Sequence, residues 1–308
     1  MTRAGMLSKT RFWFAMRCGL TIAVLVVLWH AAGGGAIAET LVQASPFWLL
    51  AAVATLILQT AFSAQRWRLT AAQLGQTLPT SYALKEYFLS QAFNQALPGA
   101  VAGDAARAVR ARDQGGLLVA GQAVFFERLA GQIAMFLTLA VAFLSTLLVA
   151  GGLDWPPALG ATLLTVVGIG AALPLGVWGV GLLQGELAAK ALRWLQPMGV
   201  ALFASRVLPG QILFGVAITI CNLAAFGFAA RAVGVDLSLI EIAALVPVIL
   251  FAMLIPLTVS GWGVREGAAA LLLPIAGISA TDSVAASVMF GLALLIAVIP
   301  GALMVMAR

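Results

Sequence analysis

From Ile212 to Ala230 the chain meets no charged side chain, and only Thr219 and Asn222 are polar. Hydrocarbon offers a backbone no hydrogen bonds, so a run of this kind must satisfy itself as a helix or as part of a closed barrel. A barrel strand alternates apolar and polar residues; this run does not, and it reads as a helix. The character recurs along the chain. Of 308 residues, 62% are hydrophobic and 9% charged, against about 25% charged in soluble domains. That is more apolar surface than a soluble core of this length can hide. The expected fold is an all-α integral membrane protein.

Strong spans are expected at about 18–32, 46–65, 129–150, 158–183, 209–231 and 284–307. Two shorter apolar segments, 82–97 and 239–256, end in Pro/Gly-rich sequence and are marginal for a ~30 Å hydrocarbon core. Polar or amphipathic pieces lie between them: 66–81, opening Arg66-Trp67-Arg68; 104–116, with Asp104, Arg107, Arg110, Arg112 and Asp113; and 184–208, with Glu186, Lys190, Arg193 and Arg206. The loop 33–45 holds only Glu39. No stretch is long enough for a separate soluble catalytic domain, so residues 1–308 read as one transmembrane domain. The expectation is about six full spans plus two re-entrant or broken helical segments.

The formal net charge of +6 would suggest nucleic acid in a soluble protein. Here the basic excess fits a cytoplasmic face and anionic headgroups, and nucleic acid is not an expected partner. Cys18 and Cys221 sit in apolar stretches and read as small buried hydrophobes. One histidine, His30, and two distant cysteines make no metal site, and no cofactor is expected. Arg3, Lys9, Arg11 and Arg17 precede the first apolar run, and Ala36-Ile37-Ala38 resembles a signal-peptidase site. The repeat described next needs this helix, so it is read as a retained span.

Leu97-Pro98-Gly99-Ala100-Val101-Ala102-Gly103-Asp104-Ala105-Ala106-Arg107 aligns with Ile255-Pro256-Leu257-Thr258-Val259-Ser260-Gly261-Trp262-Gly263-Val264-Arg265. Pro98 and Pro256, Gly103 and Gly261, and Arg107 and Arg265 are each separated by 158 positions. The same shift carries 46–65, 82–97 and 129–150 onto apolar runs. An internal repeat with halves at about 1–157 and 158–308 follows. The positive-inside rule sets the topology. A cytoplasmic N-terminus and a re-entrant 82–97 keep Arg66, Arg68, Arg107, Arg110 and Arg112 inside. Each half then crosses three times, so the halves are inverted. Broken helices that meet near the midplane build the sites of many transporters with this architecture.

The broken segments carry the chemistry. Pro98 ends a helix, Gly99 and Gly103 permit unusual backbone, and Asp104 can cap the helix that follows. Asp104, Arg107 and Arg110 share a helical face. Unwound backbone with converging arginines suits phosphate. In the second copy Pro256, Gly261 and Gly263 supply the breaks, and Arg265 precedes Glu266. Glu127-Arg128 lies in apolar sequence, where an unpaired charge costs roughly 2.5–3.5 kcal/mol on insertion scales. Its expected partners are Arg107, Arg265 or a lipid phosphate for Glu127, and Asp104 or Glu266 for Arg128. Gln59, Gln91 and Asn94 are further headgroup candidates. Trp48, Trp67, Trp155 and Trp194 read as interfacial belt, whereas Trp262 falls inside the second motif.

Asn94, Leu97-Pro98-Gly99, Gly103-Asp104, Arg107, Glu127-Arg128, Gly131, Pro256 and Ser260-Gly261-Trp262-Gly263-Val264-Arg265-Glu266 together resemble the lysylphosphatidylglycerol synthase transmembrane-region family. That family includes the flippase domain of the multiple peptide resistance factor and dolichol-phosphate-glucose synthetase-like proteins. The resemblance covers essentially the whole chain. It implies a bundle of about eight helices that moves or binds lipids with phosphate-containing headgroups. Ala102 departs from it, since the family often has a second glycine there.

Two functions are expected from these readings. In the first, a lipid translocator of the inner membrane, phosphate meets Arg107 and Arg265, with Asn94 and Arg110 nearby and Asp104, Glu127 and Glu266 holding the arginines. In the second, the chain is a membrane enzyme, or the membrane subunit of one, in lipid-linked glycosyl or aminoacyl transfer; Asp104 and Glu127 are then the acid/base groups, and a separately encoded soluble transferase is the partner. It lacks a nucleophile motif, a nucleotide loop and a metal site, so no catalytic residue is assigned and transport is preferred.

Overall fold

The computed structural model describes residues 3–97, 101–148, 152–180, 185–255 and 257–306; Pro98, Gly99 and Pro256, three of the expected helix breakers, lie outside the described residues. Within the described residues the regular structure is helical, with no β-strand. In chain order the helices are α1 (Arg3–Ala31), α2 (Gly34–Val42), α3 (Pro46–Gln73), α4 (Thr80–Ala96), α5 (Ala102–Arg110), α6 (Gly116–Leu148), α7 (Pro157–Val180), α8 (Glu186–Phe203), α9 (Leu208–Ala232), α10 (Leu239–Ala252), α11 (Val264–Leu272), α12 (Ala280–Ala297) and α13 (Ile299–Met306).

Four described helical stretches are long and apolar enough to cross a bilayer: α3, α6, α9, and α12 continued into α13. A fifth results if α1 and α2, which meet at 92°, form one bent span. The expected spans at 46–65, 129–150, 209–231 and 284–307 fall on the first four. The expected span 158–183 falls on α7, whose described apolar part, Pro157–Leu173, is shorter.

Three boundaries differ from expectation for physical reasons. The expected loop 33–45 is mostly helix α2, because Ile37 has a core to enter and is 1% exposed, while Gly33 takes the bend at φ 75°. The expected polar piece 66–81 begins as a continuation of α3 to Gln73, since Arg66 and Trp67 are themselves buried. Likewise α6 begins at Gly116 rather than near 129, which sets Glu127-Arg128 well inside a helix.

Local sequence accounts for the helix starts. Pro46 opens α3, where its missing N–H is no loss. Ser238 and Glu241 form a capping box on α10: the Ser238 hydroxyl accepts the Glu241 N–H and the Glu241 carboxylate accepts the Ser238 N–H. Ser279 caps α12 by accepting the Asp282 N–H.

The bundle is organised around α3 and α9, its most extensive helix pair. The two run antiparallel. The Ser45 N–H bonds the Ala232 carbonyl, Trp48 stacks on Phe228, Phe62 meets Phe214, and Gln211 donates to Thr70. Small residues let these backbones close up: Ala52, Ala64 and Ala71 on α3, and Ala225, Ala229 and Ala230 on α9, are all fully buried. In lipid this packing supplies most of the association energy, because the chains around it are as apolar as leucine.

Adding 158 to the residue numbers carries α3 to 204–231, beside α9; α4 to 238–254, beside α10; α5 to 260–268, overlapping α11; and α6 to 274–306, over α12 and α13. Cross-packing follows the same exchange, since α3 packs on α12 as α9 packs on α6.

Candidate functional site

Helices α3, α4, α5 and α6 bring five charged groups together, four of them buried. Glu127, fully buried on α6, accepts from Arg66 through Nε at 3.3 Å and Nη2 at 2.8 Å. It also accepts from Arg107 Nη2 at 3.3 Å and from the Tyr87 hydroxyl at 3.2 Å. Asp104 accepts from Arg107 at 3.0 Å, from Arg128 Nε at 2.9 Å, from Ser90 at 3.0 Å and from Asn94 at 3.2 Å. The Arg107 guanidinium lies between two aromatic faces, 4.5 Å from the Trp67 ring centre and 4.2 Å from that of Tyr87. Three guanidinium groups therefore meet two carboxylates, an excess of one positive charge.

Of the partners expected for Glu127-Arg128, Arg107 and Asp104 are the ones found. Asp104 does not cap its helix: α5 starts at Ala102, and the carboxylate is drawn sideways to Ser90, Asn94 and the two arginines. Gly103 lies within the first turn of α5. A Cβ there would come 2.0 Å from the Ser90 carbonyl oxygen, so its role in the structure is to let α5 lie against α4. The Gly103 N–H donates to Asn94 Oδ1 at 2.8 Å. Arg110 pairs with Glu86.

The second half has a smaller, neutral counterpart. Arg265 donates to Glu266 through Nη2 at 2.5 Å and to Ser287 at 3.1 Å, and it lies over Trp262 and Phe290. Glu266 also accepts the Gly263 N–H at 2.5 Å. The break ahead of α11 is carried by Ser260, Gly261 and Gly263, all at positive φ. Positive φ is costly for serine, and such strain gathers at functional sites. The Ser260 hydroxyl donates to Gln95 Oε1 at 2.5 Å, so the two broken segments touch.

Arg107 and Arg265 are both buried, at 0% and 1% exposure. Arg107 stacks on Trp67 near the C-terminal end of α3. Arg265 lies over Phe290, which packs on Phe226 near the C-terminal end of α9. Because α3 and α9 are antiparallel, the two arginines lie toward opposite ends of this helix pair.

Between those levels lies a polar cavity of about 230 Å³, lined by Gln59, Ser63 and Arg66 of α3, by Tyr87, Gln91, Asn94 and Gln95 of α4, by Arg128 and Gln132 of α6, and by Thr219 and Asn222 of α9. Ser260 and Phe290 reach it from the second half. An apolar groove of about 730 Å³ runs beside it between α6 and α9, from Ala130 to Ser145 on one wall, and Thr219 lines both. At 1.5 Å per residue that wall is roughly 22 Å long, more than half of a ~30 Å hydrocarbon core.

Of the residues singled out from sequence, Asn94, Gln91, Gln59 and Arg128 line this cavity, whereas Arg107, Arg110 and Arg265 are not among its lining residues. Sequence reading missed Arg66, because nothing local ties it to a carboxylate 61 positions away. It read Trp67 as interfacial, whereas the ring is fully buried under Arg107, whose charge needs that face. Asn222 carried a usable signal, as a polar residue near the centre of the apolar run Ile212–Ala230.

Fold and site together define a polytopic α-helical membrane protein with a charged cavity inside its bundle. Residues 15–301 match the family described as Lysylphosphatidylglycerol synthase TM region, and the chain belongs to that family. Neither curated proteins nor solved structures yield a match.

Proposed function

We propose that this chain is a lipid translocase: it takes a lipid with a phosphate-containing headgroup, anionic or polyprenyl-linked, through a polar intramembrane cavity. The observation that carries this reading is the junction of two unlike surfaces. A cavity with an excess of positive charge adjoins an apolar groove on the same two helices, α6 and α9. An amphipathic ligand with a negative head matches both. Membership of a family named for a lipid synthase's transmembrane region agrees with it.

The working architecture is an inverted repeat, with halves at about 1–157 and 158–308, about six crossings and two re-entrant segments. The antiparallel packing of α3 on α9, whose residue ranges the 158-residue shift brings into overlap, supports inversion, as do Arg107 and Arg265 toward opposite ends of that helix pair. In this arrangement Arg66 and Arg128 meet the headgroup at mid-depth, and Arg107 and Arg265 hold the broken helices in each half. Basic residues Arg3, Lys9, Arg11 and Arg17 set the N-terminus on the cytoplasmic face of the inner membrane. Transport is assigned rather than catalysis because Asp104 and Glu127 are each occupied by two guanidinium groups, which suits holding charge more than exchanging protons. A separately encoded soluble transferase that makes or consumes the lipid is the partner this role would serve.

The test is headgroup movement in proteoliposomes. Wild type is expected to translocate a labelled anionic phospholipid or polyprenyl-phosphate lipid. Arg128→Gln is expected to slow it at least about tenfold, since a hydrogen bond to a charged group contributes about 1.5–3 kcal/mol. No movement of either lipid class by wild type overturns the reading.

A further inference from the structure

We propose that the cavity selects a phosphate ester whose headgroup is a neutral polyol, such as glycerol or a hexose, and rejects headgroups that carry an ammonium group. The inference deepens the lipid reading above and rests on it.

Two side chains make the phosphate end. Arg66 is 3% exposed and faces the cavity. Its Nε and Nη2 are committed to Glu127, but Nη1 is buried with no partner. A buried donor of a charged group left unmatched calls for an acceptor, and a phosphate oxygen supplies one. The guanidinium lies close against α6, since a Cβ at Gly131 would stand 2.7 Å from Arg66 Nη2. Arg128 is held by Asp104 along one edge and keeps about a third of its side chain open. Paired forks of this kind match phosphate geometry better than point charges do.

The remaining rim is amide. Gln91, Gln132 and Asn222 line the cavity and make no hydrogen bond to a described residue, and Gln95 keeps its amide nitrogen while its oxygen accepts from Ser260. An amide offers both donors and an acceptor, as a hydroxyl does, so a ring of amides complements a polyol. An ammonium offers donors only, so it leaves the amide N–H groups unmatched and calls for an anionic partner to balance its charge. No Asp or Glu is among the described residues that line the cavity. The nearest carboxylates, Asp104 and Glu127, are saturated by their arginines. An ammonium would instead face two guanidinium groups. The volume of about 230 Å³ is below the ~300–1,000 Å³ of pockets for drug-sized ligands, so it takes a compact headgroup and leaves the chains to the apolar groove.

The experiment offers the purified full-length protein an equimolar mixture of phosphatidylglycerol and its lysyl ester with the same acyl chains, and reads the retained lipid by mass spectrometry. Phosphatidylglycerol is expected to be enriched at least about tenfold, the scale of one charged hydrogen bond. Asn222→Asp, or Gln132→Glu if that variant does not fold, adds a carboxylate to the rim and is expected to erase the preference. Equal retention by wild type, or preference for the lysyl ester, overturns the selectivity and leaves lipid handling standing. Retention of neither lipid overturns both. Glucose 1-phosphate presents the same headgroup chemistry without chains. Thermal stabilisation by it that matches phosphatidylglycerol would keep the headgroup assignment and remove the lipid as its source.

Discussion

Replacing Glu127 by glutamine is expected to cost about 3–5 kcal/mol of stability, the scale for removing one partner from a buried ion pair. Glutamine keeps the shape and an acceptor oxygen but not the charge. Arg66 and Arg107, at 3% and 0% exposure, then share a site with no counter-charge of their own except Asp104, which also holds Arg128. Aromatic faces cover Arg107 but cannot neutralise it. The readout is thermal unfolding in detergent together with the yield of monodisperse protein. A second change tests the cause: Arg107→Met in the Glu127→Gln background removes one stranded cation and is expected to recover part of the loss. If Glu127→Gln stays within about 0.5 kcal/mol of wild type, as surface substitutions do, Glu127 is not the anchor of this cluster.

The fold was legible wherever apolar length alone decides. Four expected spans coincide with α3, α6, α9 and the joined α12–α13 because lipid as solvent permits little except helix. Legibility failed at the ends of those helices. Arg66-Trp67-Arg68 looks like a polar exit from the membrane, yet α3 continues through it. The reason is tertiary: Glu127 comes from another helix to meet Arg66, and Arg107 comes to cover Trp67. No window of sequence contains both members of either pair. Helix α2 was hidden in the same way, since Gly33-Gly34-Gly35 reads as loop until Ile37 is given a core to enter.

The site was legible in its residue types more than in its arrangement. The cost of charge in hydrocarbon marked Glu127-Arg128 and the two broken segments, and all of these carry buried ion pairs. Which cation faces the cavity was not readable. Arg107 and Arg66 are equivalent on a linear chain; α5 turns the first between Trp67 and Tyr87, and α3 turns the second to Glu127 beside the cavity. The two broken segments share an arginine at matched positions but not its counter-charge. Glu127 and Asp104 of the first half have Ala285 and Trp262 at the positions 158 residues on, and Arg265 uses its neighbour Glu266 instead. The 158-residue offset in sequence therefore matches the two arginines and leaves the partner of each to the fold.

That dependence on close packing gives the second large effect. Gly103→Ala is expected to destabilise by at least the ~1–3 kcal/mol typical of overpacking. The added methyl would stand 2.0 Å from the Ser90 carbonyl oxygen and 2.7 Å from its carbon, and backbone atoms inside a helix cannot step aside as a side-chain tip can. Relief requires α5 to lift from α4. Lifting breaks the Gly103 N–H bond to Asn94 and draws Asp104 away from Ser90 and Arg128. The substitution therefore reaches the cavity without touching it, and the proposed lipid translocation is expected to fall with stability. Gly121→Ala on α6 is the matched control: nothing lies within 4 Å of its added Cβ. Alanine there is expected to be neutral or to stabilise by up to roughly 1 kcal/mol, the helix-propensity difference. Unfolding curves and transport assays on both variants separate a close-approach glycine from one that is merely helical. Equal behaviour of the two would mean that α5 does not rest on the Ser90 carbonyl.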